Sequence, residues 1–198
     1  MANILYTYKN SVYANITNKC NCRCTFCIRF VEEGIGDADT LWHQTNPTLT
    51  EVLDAIRNFD FSGYDELVFC GYGEPTYRMD VIEKVSFFAH VNRLKTRINT
   101  NGHANLINGK DVTDIIAKCI DTIGISLNEV DEKDYDDICL PVYKNAYEEM
   151  LNFAKLCIEK GGNVIFSVVD CIGKAKIEKA KKIAKEIGAK LRVREEIK

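Results

Sequence analysis

From Asn10 onward, short runs rich in β-branched and apolar residues alternate with longer stretches whose apolar residues return every three or four positions. The runs Val12–Ile16, Leu67–Cys70, Lys95–Asn99, Thr122–Ser126, Asn163–Val169 and Leu191–Val193 read as six strands. Between them, Thr48-Leu49-Thr50-Glu51 has the form of a helix-capping box, and Val52, Leu53, Ile56 and Phe59 continue an apolar face. Asp80–Val91, Val112–Cys119, Asn145–Glu159 and Lys176–Ile187 read as further helices, the last two stopped by glycines. Asn128–Pro141 is acidic and without a clear period, which predicts a surface loop with a helical turn. Strand–helix alternation of this kind implies an α/β fold with a parallel sheet. A closed eight-stranded barrel needs about 250 residues, so the pattern alone leaves a partial barrel and a doubly wound sheet as alternatives. Either places its chemistry at the C-terminal ends of the strands.

Those ends carry the polar and glycine-rich segments. The first strand runs into Asn18-Lys19-Cys20-Asn21-Cys22-Arg23-Cys24-Thr25-Phe26-Cys27-Ile28-Arg29, with four of the nine cysteines within eight positions. The second strand runs into Gly71-Tyr72-Gly73-Glu74-Pro75, the third into Thr100-Asn101-Gly102 and the fourth into Ser126-Leu127-Asn128. The cysteine loop has no periodic apolar face, so its thiols point to metal or redox chemistry. Cys20, Cys24 and Cys27 have the spacing C-x3-C-x2-C, and soft thiolates on a tight loop suit an iron–sulfur cluster or zinc. A structural zinc site takes four ligands in two separated pairs, and no second close cysteine pair or paired histidines accompany the loop. Lys19, Arg23 and Arg29 would stabilise thiolates and an anionic cluster.

Charge and composition narrow the rest. The 198 residues carry a formal net charge of -3, with 46% hydrophobic and 28% charged residues, ordinary for a globular chain and suited to one domain over 1–198. No bulk attraction to nucleic acid or anionic membrane follows, and no stretch approaches the roughly 18 apolar residues of a membrane span. A local basic patch for nucleic acid stays open, although the Lys174–Lys190 run reads as a solvated helix face. The N-terminus lacks a signal layout, and clustered, odd-numbered cysteines suit a reducing compartment, so a cytoplasmic location is expected.

The loop C-x3-C-x-Φ-C after a first strand, with Phe26 in the aromatic position, resembles the radical S-adenosylmethionine (radical SAM) superfamily. Gly71-Tyr72-Gly73-Glu74-Pro75 resembles that family's GGEP motif, with Tyr72 as the departure, and Ile16-Thr17-Asn18, Cys70–Arg78 and Ile98–Gly109 resemble the TatD-linked radical SAM proteins. The resemblance implies a partial (β/α)6 TIM-like barrel with one [4Fe-4S] cluster on Cys20, Cys24 and Cys27. It implies an open iron that chelates S-adenosyl-L-methionine, and reductive cleavage to a 5'-deoxyadenosyl radical that abstracts hydrogen from a small metabolite, nucleobase or protein glycine. Phe26, Gly71, Gly73, Glu74, Asn101, Ser126 and Asn128 are the residues it implies for binding that cofactor. A reductant such as flavodoxin or ferredoxin, a TatD-type nuclease and a protein substrate are the implied partners. The alternative is a non-catalytic metal-binding or interaction module acting with a nuclease.

Several residues keep two readings. Cys22 is a spare thiol or an alternative ligand. Cys70, Cys119 and Cys157 read as small buried hydrophobes, Cys139 as a loop residue, and Cys171 as a thiol near the active face. His103 and Asn105 divide between substrate contact and loop chemistry. Arg192 and Arg194 share one face of the last strand, which is either the barrel interior or a solvated edge.

Overall fold

The computed structural model describes residues 2–195; Met1 and the last three residues of the expected 1–198 domain lie outside them. Among the described residues one sheet runs in the order β1 (Leu5–Tyr8), β2 (Ser11–Ala14), β3 (Glu66–Phe69), β4 (Lys95–Thr100), β5 (Thr122–Ser126), β6 (Val164–Val169), β7 (Lys190–Arg194). Every pair from β2 to β7 is parallel. The strands follow one another in sequence order, without the reversal that defines a doubly wound sheet. All helices therefore lie on one side, and the sheet curls as a partial barrel. β1 and β7 are the two open edges.

The helices are α1 (Leu49–Asn58), α2 (Met79–Val91), α3 (Ala104–Asn108), α4 (Thr113–Cys119), α5 (Glu132–Cys139), α6 (Ala146–Glu159) and α7 (Lys174–Ile187). The capping box of α1 forms as expected: Thr48 Oγ accepts from the Glu51 N–H while Glu51 accepts from the Thr48 N–H. Alternate strand residues Val12, Ala14, Leu67, Phe69, Ile98, Ile123, Ile125, Phe166 and Val168 are buried under the helices, against Val52, Ile82, Val85, Ile116, Met150, Phe153 and Ala184. The intervening residues therefore face the concave interior.

Three elements depart from the sequence reading, one of them the short helix α3 in a stretch read as a polar loop. The chain opens with an additional antiparallel strand: β1 pairs with β2 through the Lys9-Asn10 turn, where Lys9 takes the left-handed conformation (φ 54°). Its outer edge is protected: the Asn3 N–H donates to Thr40 O, the Asp37 N–H to Thr7 O, and the Thr7 N–H to the Asp37 carboxylate. The acidic stretch after β5 is not merely a surface loop. Asp131 caps α5 by accepting from the Asp134 N–H, and Tyr135 and Cys139, one helical turn apart, are buried. Lys176 of α7 bridges Glu129 and Asp134 at 2.7 Å each and offsets part of the acidic charge.

Candidate active site

The cysteine loop lies across the C-terminal ends of β2, β3 and β4, and its backbone is fastened at both ends. Below it, Asn15 donates to Leu41 O at 2.8 Å and Asn18 to His43 O at 2.7 Å. Beyond Cys20 the chain crosses to the end of α5: the Arg23 N–H donates to Cys139 O, the Thr25 N–H to Ile138 O, and the Val142 N–H to Asn21 O. Cys22 forms an antiparallel bridge with Pro141. Helix α5 is thus one wall of the loop, which the sequence did not show.

Gly71 and Gly73 stand where the sequence placed them, and their small size answers to the protein itself. A Cβ on Gly71 would come within 2.1 Å of Asn15 Oδ1, and one on Gly73 within 2.3 Å of Thr17 O. The glycines let the end of β3 press against the chain entering the cysteine loop. Glu74 is buried, and both its oxygens are occupied: Oε1 accepts from the Thr76 N–H, Thr76 Oγ and Thr100 Oγ, and Oε2 from the Asn101 N–H at 2.8 Å. Burial pushes its pKa up while these donors pull it back. Its own N–H donates to Lys19 O at 2.8 Å, so Glu74 ties the ends of β3 and β4 to the loop.

Asn101 and His103 continue the tie. Asn101 donates to Asn21 Oδ1 at 2.8 Å, and its Nδ2 lies 3.6 Å from Cys22 Sγ. His103 is buried, with Nδ1 accepting from the Asn21 amide at 2.8 Å and Nε2 facing Ala146 O and Tyr135 Oη at 3.1 Å each. These partners assign a neutral ring protonated at Nε2. Burial pushes its pKa down to about 4, against smaller opposing effects of Ala146 O and the nearby Cys24. Between the two readings of His103, the structure selects a positioning role, and Asn105, on α3, accepts from the Val112 N–H. In the unfolded chain a histidine takes up its proton near pH 6.5. The native state therefore loses stability as pH falls from about 6.5 to about 4, by roughly 2–3 kcal/mol. Denaturant unfolding of the metal-free protein at pH 7 and pH 4 is expected to show that loss, and a His103→Gln variant to lack it.

The thiols themselves divide by environment. Cys24 is held down to about 4 by hydrogen bonds from Cys139 and Cys22, helped by Arg29, and Cys20 is lowered by its hydrogen bonds with Cys22. Cys22 and Cys139 are both buried and pushed up, chiefly because each donates its S–H to these neighbours. Cys27 is raised by burial, which Arg29 opposes. Cys22, read from the sequence as a spare thiol or an alternative ligand, and Cys139, read as a loop residue, are therefore buried partners of Cys20 and Cys24. Cys70 is only partly buried and lies on the concave side, whereas Cys157 is buried as expected.

Among the described residues no three His, Cys, Asp or Glu side chains converge on a single-ion site. A polynuclear cluster attaches its ligands to different iron atoms and takes donors set further apart. The donor chemistry fits such a group: two thiols poised to ionise, a third beside them, and the Arg29 guanidinium within reach of all three. Arg29 donates to Tyr72 O and Cys22 O, and its buried Nε has no partner among the described residues. Phe26 is half-exposed beside the loop, and Ser126 lies on the concave side. Asn128, in the left-handed conformation (φ 59°), turns its amide nitrogen to Cys139 Sγ at 3.2 Å.

The family model of the radical SAM superfamily matches residues 14–187. The chain belongs to the radical SAM superfamily. The radical SAM relatives include GTP 3',8-cyclase of Haemophilus influenzae (strain PittEE), 26% identical over 156 residues that cover 76% of this chain and 42% of that one. The S-adenosylmethionine-dependent nucleotide dehydratase of Selenomonas ruminantium is 28% identical over 145 residues, covering 73% and 47%. The chain thus spans less than half the length of these relatives, which are enzymes. In fold it is similar to Streptococcus suis SuiB bound to S-adenosylmethionine, with a TM-score of 0.67 and 19% identity over 92% of this chain and 38% of that one. Radical SAM proteins use a [4Fe-4S] cluster and S-adenosylmethionine. No helix among the described residues is long and apolar enough to cross a membrane.

Proposed function

We propose that this chain is a radical SAM enzyme that holds one [4Fe-4S] cluster on Cys20, Cys24 and Cys27 and leaves one iron to S-adenosyl-L-methionine. The observation that carries this reading is the linkage of the β3 and β4 ends to the cysteine loop after β2, through Glu74, Asn101, Asn21 and His103. When bound, the cluster and S-adenosylmethionine supply a 5'-deoxyadenosyl radical by one-electron cleavage, and that radical takes a hydrogen atom from the substrate. The residues of the chain bind and orient. Arg29 offsets the negative charge of the thiolates, Cys22 and Cys139 donate hydrogen bonds to them, and Glu74 and His103 hold the loop at one depth. Gly71 and Gly73 bring the β3 end against the loop, Phe26 offers an aromatic face for the adenine, and Ser126, Asn128 and Asn101 line the approach on the β4 and β5 side.

A reductant of the flavodoxin or ferredoxin kind is the electron donor in this reading. The names of the two relatives carry a nucleoside triphosphate and a nucleotide, which supports a nucleotide or nucleobase over a protein glycine as substrate. Membership of the TatD-linked group, and hence association with a TatD-type nuclease, rests on the segments around Cys70–Arg78 and Ile98–Gly109. Anaerobic reconstitution tests the reading. About four irons per chain and 5'-deoxyadenosine released with dithionite and S-adenosylmethionine are expected. Fewer than about three irons, or no 5'-deoxyadenosine, contradicts it.

A further inference from the structure

The concave side of the sheet carries a set of cations that the cysteine loop does not use. On β7, Leu191 packs toward the helices, so Lys190, Arg192 and Arg194 face the interior. The side chains of Arg192 and Arg194 form no hydrogen bond or ion pair among the described residues, and both project from the same face of β7. Arg192 shares one cavity with residues of β1, β2 and β4, so the curl of the sheet brings β7 round toward the opposite edge. Arg192 lines an open cavity of about 610 Å³ together with Tyr8, Lys9, Ser11, Tyr13 and Arg97.

Arg97 is the neutralised member of this set. It pairs with Glu66 at 2.9 Å, and Glu66 accepts in turn from Ser11 Oγ at 3.2 Å. Its buried Nε has no partner among the described residues. Arg192, by contrast, pairs with no carboxylate among the described residues, in a chain whose formal net charge is -3. Arg192 and Arg194 stand side by side on one strand, both open to solvent, and a planar guanidinium fork matches phosphate and carboxylate oxygens.

The register joins this cation set to the candidate active site. Ser126 is opposite Ser167, and Ser167 is opposite Arg192. Thr100 is opposite Ile125, so the next inward pair along these strands is Asn101 and Ser126. A polar lane of Asn101, Ser126, Ser167 and Arg192 therefore crosses the concave face, from the side chain that holds Asn21 to the free guanidinium.

We propose that the barrel interior binds an anionic group of the substrate, a phosphate or a carboxylate, with Arg192 as the principal contact and Arg194 beside it. This rests on the radical SAM reading above for the reaction, but the binding itself does not need the cluster. It fixes a polarity for the substrate: the anionic end seats at Arg192, and the reacting carbon lies along the serine lane toward the cysteine loop.

The test is calorimetric titration and thermal unfolding of the protein, as purified and after anaerobic reconstitution, with pyrophosphate and with malonate as probes. One or both probes are expected to bind and to raise the melting temperature with concentration, and the stronger of the two distinguishes phosphate from carboxylate. Arg192→Gln is expected to weaken that binding at least about tenfold, with Arg192→Lys, which keeps the charge and loses the fork, in between. Lys182→Gln, on the exposed side of α7, should leave binding unchanged. The proposal is overturned if neither probe binds, if Arg192→Gln binds as the parent does, or if Lys182→Gln loses as much. Release of 5'-deoxyadenosine without anion binding overturns this proposal and leaves the proposed function standing. Arg192-dependent binding without 5'-deoxyadenosine supports this proposal and sinks the other.

Discussion

Replacing Cys24 with alanine is expected to leave the reconstituted protein without its four-iron cluster and to lower 5'-deoxyadenosine formation by about a thousandfold or more. A cluster held by three thiolates has no spare protein ligand, and removing one metal ligand removes both the affinity and the chemistry built on it. The informative comparison is Cys22→Ala. Cys22 sits between Cys20 and Cys24 in sequence, with its single S–H within reach of either sulfur, yet it is buried against Asn101 and His103. Its loss costs a buried thiol and the hydrogen bond its S–H makes to a neighbouring sulfur, on the order of 1–2 kcal/mol. It should leave the iron content near that of the parent. Iron analysis and a 5'-deoxyadenosine assay on the two variants decide the matter. Equal loss of iron in both would make Cys22 a ligand and undo the assignment.

The second large effect is expected at Glu74. Its two oxygens accept four hydrogen bonds from Thr76, Thr100 and Asn101, all at a site closed to solvent. Glu74→Ala removes the acceptor and strands those donors without water to replace it. Breaking a buried, fully bonded carboxylate site in this way costs about 3–5 kcal/mol, a large share of the roughly 5–15 kcal/mol of a whole domain. Glu74→Gln keeps the shape and one acceptor and should lose less. Urea unfolding of the metal-free protein measures both. A loss below about 1 kcal/mol in Glu74→Ala would mean that this carboxylate does not hold the strand ends together.

Much of this arrangement was legible in the residues. Parallel strands, the capping box at Thr48 and the order of the four strand-end segments follow from period and turn chemistry, which act locally. What escaped depends on contacts between distant segments. The strand Leu5–Tyr8 is short, and its Lys9-Asn10 turn lacks the usual glycine, so only pairing with β2 reveals it. The helix Glu132–Cys139 hides in an acidic run because Lys176, some forty residues on, supplies the compensating charge. Its cap at Asp131 and the Tyr135–Cys139 spacing were the available signals.

At the site the residue types were readable and their partners were not. The glycines of the GGEP-like segment suggested close approach of a ligand, whereas the close approach present in the fold is to Asn15 and Thr17. Glu74 suggested a cofactor contact, yet its acceptors are filled by Thr76, Thr100 and Asn101. His103 gave no sign of its burial, because the groups that enclose it come from α5, α6 and the cysteine loop. The inward face of Arg192 and Arg194 required the curl of the sheet, which strand alternation alone does not specify.

In the proposed site Cys20, Cys24 and Cys27 each hold one iron of the cluster, and the fourth iron is left open to S-adenosylmethionine. Electron paramagnetic resonance of the dithionite-reduced, reconstituted protein tests it most directly. An iron–sulfur signal is expected whose g-values shift when S-adenosylmethionine is added, and Cys24→Ala is expected to show no such signal. A reduced protein with no iron–sulfur signal, or a signal that S-adenosylmethionine leaves unchanged, would contradict it.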